Sequence, residues 1–309
     1  GRSRGAARAP QPAAQTVKIN FPTAGASGAL YAVGAAITNM WSNNVPGVQA
    51  ASQASAGGIA NLNMVSDGEA QVSIAISSNV YQCLNGTDSF KDHPYKDLKV
   101  IAGLYMNPNQ VVVTAKSGIQ TLADVKGKRF AVASAGSSVY NESNAHFTAA
   151  GLKFPDDIQA EYITFTDAAD MLQNGSIDGA WIMSGAPASA VTQALTGGAR
   201  LVDIDDQLVK ELKAKYPWYA SYTIKAGTYP NQDRDVRTTA VKMVMFTRGD
   251  MPEDVVYNLT KALWEHIDEL GQAQKNLKGL KPEDAVKDIA GVPLHPGAER
   301  YYREIGVLK

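Results

Sequence analysis

The feature that most constrains the fold of this chain is a strand, a small-residue turn and a helix that occur together twice. The first copy is "INFPTAGASGALY", which begins at Ile19, and the second is "FAVASAGSSVYNESNAHF", which begins at Phe130. Each copy is followed by a strand, a helix that ends in a polar stretch with Gly, and a further strand. This alternation predicts an α/β fold of mainly parallel sheets flanked by helices. We therefore expect two similar lobes with a ligand cleft between them, because ligands bind at the carboxyl ends of such strands.

The last third of the chain returns to the strand pattern and is predicted to complete the first lobe. Lobe 1 is expected to comprise residues 16–114 and 226–309, and lobe 2 residues 115–225, with chain crossings near Thr114–Ser117 and Lys225–Thr228. Residues 1–15, "GRSRGAARAPQPAAQ", are rich in Arg, Ala and Pro and are predicted to be a disordered tail. They lack the apolar region of a signal peptide, so they are either a mature tail left after cleavage or an artificial extension.

Four further segments carry expectations about secondary structure. "KVIAGLYM" and "QVVVTA" are predicted to be two separate strands, and "AEYITF" is predicted to be another. "PEDVVYNLTKALWEHIDELGQ" is predicted to be one long helix with Pro252 near its start. The helix is expected to belong to the last part of lobe 1.

The turn in "TVKINFPTAGASGALYAVGAAITNMW" has the form of an anion site, because backbone N–H groups and the helix dipole favour negative charge there. A dinucleotide is excluded, since Gly25, Gly28 and Gly34 do not form G-x-G-x-x-G and no acidic residue follows in "VPGVQAASQAS". No G-K-[ST] of a P-loop is present. The turn is therefore either a site for a different anion or a turn that uses glycine only for its backbone conformational freedom and binds nothing. The sequence leaves both interpretations open.

Composition excludes several classes of function. The formal net charge is −1, so the 309-residue chain carries no basic field for nucleic acid or acidic lipid. No run of about 18 apolar residues exists that would span a membrane. The hydrophobic fraction of 45% is ample for a packed core. Cys83 is the only cysteine, so no intramolecular disulfide can form. We expect it to have no functional role, whether it is buried or on the surface.

No metal or cofactor site is predicted. The histidines show no H-x-x-x-H or other metal spacing, and no G-x-S-x-G elbow exists. The acidic run Asp203–Asp206 is predicted to be a solvated loop, with calcium binding as the alternative. The four scattered histidines are His93, His146, His266 and His295.

Five sequence stretches follow one another in the same order as the motifs of one known family. Together they cover the chain from about Val17 to Gly306. The first, "TAGASGALYAVG", resembles the family motif T-G-G-T-G-G-x-Y-Y-P-L-G. The others are "SAGGIANLNMVSDGEAQVSIAISSN", "SGIQTLADVKGKRFAVASAGSS", "YPWYASYTIKAGTYPNQDRDVRTTAV" and "LHPGAERYYREIG". The third stretch is generic to periplasmic binding proteins, whereas the fourth and fifth are specific. Together they resemble the TAXI-type solute-binding proteins of tripartite ATP-independent periplasmic (TRAP) transporters.

The resemblance implies a type II periplasmic-binding-protein-like receptor that closes about a hinge and performs no chemistry. Such a protein collects a small organic anion (a carboxylate, dicarboxylate, keto acid or acidic amino acid) and docks transiently on a TRAP membrane permease. The resemblance also implies a periplasmic location after removal of a signal peptide. We expect a monomer with no cofactor and no nucleic-acid partner.

The chain departs from the family pattern at four positions of the expected cleft. Ala26, Gly58 and Val139 stand where the family often has hydroxyl residues, and Asn79 stands where it often has Asp. Asn cannot form an ion pair with a ligand ammonium. The departure at Asn79 therefore favours a dicarboxylate or keto acid over the matching amino acid.

Most candidate ligand-binding residues also have a structural alternative. Tyr31 could be a core aromatic, Ser55 and Ser137 could cap helices, and Tyr219 and Tyr222 could pack between the lobes. The backbone of the turn after a strand at "SGAP" is expected to contact the ligand. The full candidate set is Gly25, Ala26, Ser27, Tyr31, Ser55, Asn79, Ser137, Ser138, Gly185, Ala186, Tyr219 and Tyr222.

Two alternative functions remain open at this point. An enzyme on the same scaffold would need a base or nucleophile in the cleft, and the candidate turns offer only Ser, Asn and Tyr. A ligand-sensing module of a regulator is the second alternative, and the chain carries no basic patch to support it. A test for turnover of candidate ligands separates binding from catalysis.

Overall fold

The computed structural model describes residues 16–26 and 29–309. The predicted tail, residues 1–15, lies outside the described residues. The strands are β1 (Val17–Pro22), β2 (Val48–Gln53), β3 (Val72–Ile76), β4 (Leu98–Val113), β5 (Arg129–Ala131), β6 (Gln159–Glu161), β7 (Gly179–Met183), β8 (Arg200–Val202), β9 (Ala220–Ile224) and β10 (Val236–Arg248). The α-helices are α1 (Ala29–Asn44), α2 (Gly58–Ser66), α3 (Ser77–Asn85), α4 (Ser138–Ala149), α5 (Phe165–Asn174), α6 (Ser189–Thr196), α7 (Asp206–Lys215), α8 (Glu253–Glu265), α9 (Ile267–Ala273) and α10 (Pro296–Glu304).

The α/β fold has two lobes, each with sheet strands flanked by helices. In the first, β1 pairs with β2 in parallel, and β10 pairs antiparallel with β3 and β4. In the second, β5 pairs in parallel with β6 and β7, and β7 pairs antiparallel with β4. β8 adds to β4 and β9 adds to β10. The sheets are therefore mixed, with antiparallel pairs formed by the two long strands β4 and β10.

The prediction of two strands at "KVIAGLYM" and "QVVVTA" is wrong, because both belong to the single strand β4. The strand changes partner rather than ending: Pro108 pairs with Ala240 of β10, and Asn109 pairs with Met183 of β7. Proline has no N–H to donate to a sheet ladder, so this change of partner is where it is tolerated. The pairing of β10 with β9 also ends at Ala240, and its pairing with β4 begins there on the opposite edge of the strand.

Two other predicted elements end earlier than expected. The strand predicted over residues 160–165 ends at Glu161, because the Thr164 hydroxyl accepts a hydrogen bond from Asp167 N and caps α5. The long helix predicted after Pro252 is interrupted at His266, whose φ of −109° and ψ of 13° leave the helical region. No Pro or Gly marks this break in the sequence.

The helices α8 and α10 pack so closely that a side chain at Gly297 would not fit. A Cβ atom there would lie 2.6 Å from the backbone N of Tyr257 and closer still to the carbonyl oxygen of Glu253. These are backbone atoms, so the helices themselves would have to separate. No helix in the described part of the chain is long and apolar enough to cross a membrane.

We expect Gly297→Ala to lower the free energy of unfolding by about 1–3 kcal/mol, because it overpacks the contact between α8 and α10. Urea denaturation of the full chain measures the change. Arg303→Ala, at an exposed position of α10, is the control and should change the free energy by less than about 0.5 kcal/mol. An equal effect of the two substitutions would show that the close approach at Gly297 carries no strain.

Candidate functional site

Three helices from both lobes begin close to the side chain of Asn79. The Ser138 hydroxyl, at the start of α4, donates a hydrogen bond of 3.0 Å to Asn79 Oδ1, in the first turn of α3. A Cβ atom at Gly58, the first residue of α2, would lie 3.4 Å from the same oxygen. We call the place where Gly58, Asn79 and Ser138 meet the helix junction.

The buried side chain of Asn61 ties the ends of β1 and β2 to β3 beside the helix junction. Its Nδ2 donates to the carbonyl oxygens of Thr23 at 2.8 Å and Ile74 at 3.1 Å. Its Oδ1 accepts a hydrogen bond of 2.6 Å from the Ser55 hydroxyl. One amide thus links the turns after β1 and β2 to the middle of β3. No pattern in the sequence distinguishes Asn61 as a positioning residue.

The helix junction favours negative charge. The first N–H groups of α2 and α3 receive no side-chain cap, so they are free to donate to a ligand. The dipoles of α2, α3 and α4 place their positive ends at the junction. At α4 the Ser137 hydroxyl does cap the helix, accepting from Tyr140 N at 3.2 Å. Asn79 and Ser138 are neutral, so backbone donors and dipoles supply the attraction for an anion.

A cavity of about 210 Å³ opens beside the helix junction, between α3 and α4. Glu142 of α4 lines it, although the residue is only 3% exposed. The carboxylate oxygen Oε2 accepts hydrogen bonds from Tyr219 Oη at 2.8 Å and Asn109 Nδ2 at 3.2 Å. Burial raises the pKa of Glu142 from 4.5 to about 7, and the hydrogen bonds from Tyr219, Asn109 and Ser78 oppose this rise. We call this space the α3–α4 cavity.

Behind Glu142, the buried ring of His146 is held as a neutral imidazole. Its Nδ1–H donates to the carbonyl oxygen of Glu142 at 2.7 Å, and its Nε2 accepts from the Thr239 hydroxyl at 2.7 Å. Burial lowers the pKa of His146 to about 4. Both ring nitrogens are occupied, so His146 is a structural residue here. Groups of three or more potential metal ligands are absent from residues 16–26 and 29–309.

A second cavity, of about 470 Å³, lies where the turn after β7 approaches the segment after α9. Gly185, Ala186 and Tyr222 line it, as does Lys242 of β10. Lys242 is 4% exposed, and its Nζ donates to the carbonyl oxygens of Lys287, at 2.8 Å, and Asp284. Burial lowers the pKa of Lys242. This space is called the hinge cavity.

Asp205 and Asp206 of the acidic run Asp203–Asp206 are exposed to solvent, and the carboxylates of the run also make structural contacts. Asp203 forms an ion pair with Arg234 at 2.6 Å, and Asp206 pairs with Arg237 at 2.5 Å. Asp205 caps α7 by accepting from Leu208 N at 2.9 Å. These contacts leave the calcium alternative without a set of free carboxylates.

Cys83 is buried, and burial raises the pKa of its thiol to about 12. The thiol therefore stays protonated and is a poor nucleophile.

The structure brings some of the candidate residues together and leaves others apart. Asn79, Ser138 and Tyr219 line the α3–α4 cavity, whereas Gly185, Ala186 and Tyr222 line the hinge cavity. Ser55 and Ser137 hold turns beside the helix junction. The rest of the candidate set lies on the turn after β1 and the start of α1: Gly25 and Ala26 are exposed, Tyr31 is half-buried, and Ser27, like Gly28, lies outside the described residues.

Glu142 and Asn109 are the polar residues of this region that the sequence did not indicate. Glu142 stands in mid-helix at "YNESN", and Asn109 stands in mid-strand. The only signal in the sequence is an acidic residue one helical turn after Ser137 and Ser138. Residues i and i+4 lie on the same face of a helix, so Glu142 shares a face with Ser138.

Solved solute-binding proteins share this fold. The TctC solute-binding protein from Polaromonas is 16% identical, with 94% of this chain and 99% of that chain covered and a TM-score of 0.57. MatC from Rhodopseudomonas palustris, solved with bound malate, is 15% identical over 95% of this chain and 97% of that chain, with a TM-score of 0.55. The periplasmic aliphatic sulphonate-binding protein SsuA from Escherichia coli is 18% identical over 94% of this chain and 83% of that chain, with a TM-score of 0.50.

These similarities establish a two-lobed periplasmic-binding-protein fold. The sequence itself matches the NMT1-like family over residues 21–306, which is most of its length. The chain therefore belongs to the NMT1-like family.

Proposed function

We propose that this protein is an extracytoplasmic solute receptor that binds a small organic anion between its lobes. The observation that carries the proposal is the helix junction, where helices α2 and α3 of one lobe and α4 of the other begin around Asn79. A carboxylate placed there would accept hydrogen bonds from uncapped N–H groups and meet three positive dipole ends. Because donors come from both lobes, binding would draw the lobes together.

The receptor is further proposed to be a TAXI-type component of a TRAP transporter. The five sequence stretches described above support this assignment. The closed form would dock transiently on the membrane permease and release the solute to it. A periplasmic monomer fits this role, as does the occurrence of the fold in solved periplasmic receptors.

The hinge of this receptor is proposed to lie in β4 and β10. β4 changes partner between Pro108 and Asn109, and at Ala240 the pairing of β10 with β9 ends and its pairing with β4 begins. Strands that run from one lobe into the other can absorb a rotation between the lobes. The sequence placed the crossings at Thr114–Ser117 and Lys225–Thr228, so the proposed lobe 2 begins earlier and ends later than residues 115–225.

The ligand is proposed to be a dicarboxylate or keto acid rather than the matching amino acid. A ligand ammonium would have to donate to the amide oxygen of Asn79. That oxygen already accepts a hydrogen bond from the Ser138 hydroxyl. An ammonium desolvated without a carboxylate partner is costly. The bound malate of MatC shows that this fold accommodates a dicarboxylate.

Ligand binding is expected to compact the chain and raise its stability. At about 100 times its dissociation constant, a ligand that binds only the folded state adds about 2.7 kcal/mol. Malate, succinate, 2-oxoglutarate and glutamate form the test panel, with small-angle scattering and thermal denaturation as measurements. Mass spectrometry of any molecule released on mild denaturation extends the panel.

Ser138→Ala removes the hydroxyl that joins the lobes and should weaken the stabilisation by every ligand of the panel. Ser189→Ala, at the exposed first position of α6, is the matched control. Identical molecular dimensions with and without a saturating ligand would contradict closure. Turnover of a bound compound would instead establish an enzyme.

A further inference from the structure

We propose that closure of the lobes transfers a proton from solvent to the Glu142 carboxylate, so that the receptor closes more readily as the pH falls. This inference rests on the proposed receptor function and adds a form of regulation to the same site. It concerns the Glu142 carboxyl of the α3–α4 cavity, which borders the helix junction through Asn79 and Ser138.

Glu142 lies where the lobes and the hinge strand meet. It belongs to α4 of lobe 2, while Asn109, which donates to it, is the first residue of β4 after the change of partner. The Ser78 hydroxyl of α3, in lobe 1, faces the carboxyl from the other side of the cavity. Separation of α3 from α4 would therefore open the cavity wall and admit water to the carboxyl.

The groups around Glu142 do not supply a positive charge in the closed arrangement. His146 is neutral, and burial raises the pKa of Tyr219 well above its ordinary value, so both remain uncharged near neutral pH. Asp88 lines the same cavity and adds negative charge. The remaining facing residues carry no charged side chain and come from each packed element: Ser78, Asn79 and Gln82 of α3, Ser138, Asn141, Asn144, Ala145 and Thr148 of α4, Asn109 of β4, Thr239 of β10, and Tyr216 and Trp218 before β9.

A carboxylate buried among neutral donors is costly, and a proton removes that cost. The arrangement in which Ser138 of α4 contacts Asn79 of α3 is the closed form of this proposal, and in it the pKa of Glu142 is raised from 4.5 to about 7. In the open form, water returns the pKa toward its ordinary value. Between these two values the closed form holds one more proton than the open form, so lowering the pH favours closure. The dependence flattens above pH 7, where both forms are ionised.

The expected effect is about a tenfold rise in the ratio of closed to open molecules per unit fall in pH between about 6.5 and 5. Small-angle scattering of the full chain without ligand measures the ratio from pH 5 to 8.5. A carbon-13 titration of glutamate carboxyls, with the Glu142 signal assigned by its loss in Glu142→Gln, measures the protonation directly. We expect this carboxyl to titrate well above 4.5.

Glu142→Gln resembles the protonated acid and should remove the pH dependence, leaving the chain compact throughout the range. Glu265→Gln, at an exposed position of α8, is the matched control and should follow the wild type. Tyr219→Phe is the second variant. It removes a hydrogen bond that favours the ionised carboxylate, so it should shift the compaction midpoint to higher pH.

Constant dimensions of the wild type across the pH range would overturn the inference, as would an unchanged pH dependence in Glu142→Gln. The panel of acids then separates the two proposals. A chain that compacts with 2-oxoglutarate at pH 8 but not on acidification is a receptor without this proton switch. A chain that compacts under neither condition would overturn both.

Discussion

Asn79→Asp is expected to invert the ligand preference of the receptor from 2-oxoglutarate to glutamate. In the wild type, the keto acid should bind more tightly, because the ammonium of glutamate finds no carboxylate at the helix junction. Asp at this position would supply that partner and would repel an acid that lacks an amine. A hydrogen bond to a charged group contributes about 1.5–3 kcal/mol, so each affinity should change by about 10- to 100-fold. Isothermal titration calorimetry of both acids with both proteins measures the inversion.

Asn85→Asp provides the matched control for this substitution. Asn85 is an exposed residue at the C-terminal end of α3, so the variant makes the same change from amide to carboxylate away from the helix junction. The preference for the keto acid should survive in this variant. Tighter binding of glutamate than of 2-oxoglutarate by the wild type would refute the argument from Asn79.

The β-α-β organisation could be predicted because its signals are local. A strand pattern, a small-residue turn and a helix pattern lie within about 20 residues of one another, and the structure has β1 with α1 and β5 with α4 in those places. Strand pairing is not local. The continuity of β4 through Pro108 depends on β7 and β10, which lie far along the chain, so no pattern within the strand could indicate the change of partner.

The same difference between local and long-range signals applies to the residues of the candidate site. Asn79 and Ser138 could be predicted because residues at the start of a helix after a strand face the ligand cleft in this class of fold. Glu142 could not, because its environment is made by Asn109 and Tyr219, which are 33 and 77 positions away in the sequence. In the sequence it is an acidic residue in mid-helix, which most often faces solvent. Only the packing of α4 on the hinge strand makes it a buried carboxyl.

Trp41 lies where the two distant parts of lobe 1 meet, and we expect its replacement to lower the stability more than that of any other core residue. Trp41 of α1 is fully buried and packs on Phe21 of β1, with ring centroids 6.0 Å apart. Its indole N–H donates to the carbonyl oxygen of Leu259 in α8 at 3.0 Å, across 218 positions of sequence. Trp41 therefore ties the N-terminal part of the lobe to the segment that returns to it after lobe 2.

Trp41→Ala should lower the free energy of unfolding by about 3–5 kcal/mol, because it leaves a large cavity and removes the partner of a buried carbonyl. Trp41→Phe keeps most of the apolar contact and loses the N–H donor, so its cost should be clearly smaller. Urea denaturation followed by circular dichroism measures both changes. If Trp41→Ala cost less than about 1 kcal/mol, the contact between α1 and α8 would not hold lobe 1 together. A Trp41→Phe cost equal to that of Trp41→Ala would instead assign the stabilisation to the hydrogen bond with Leu259 rather than to packing.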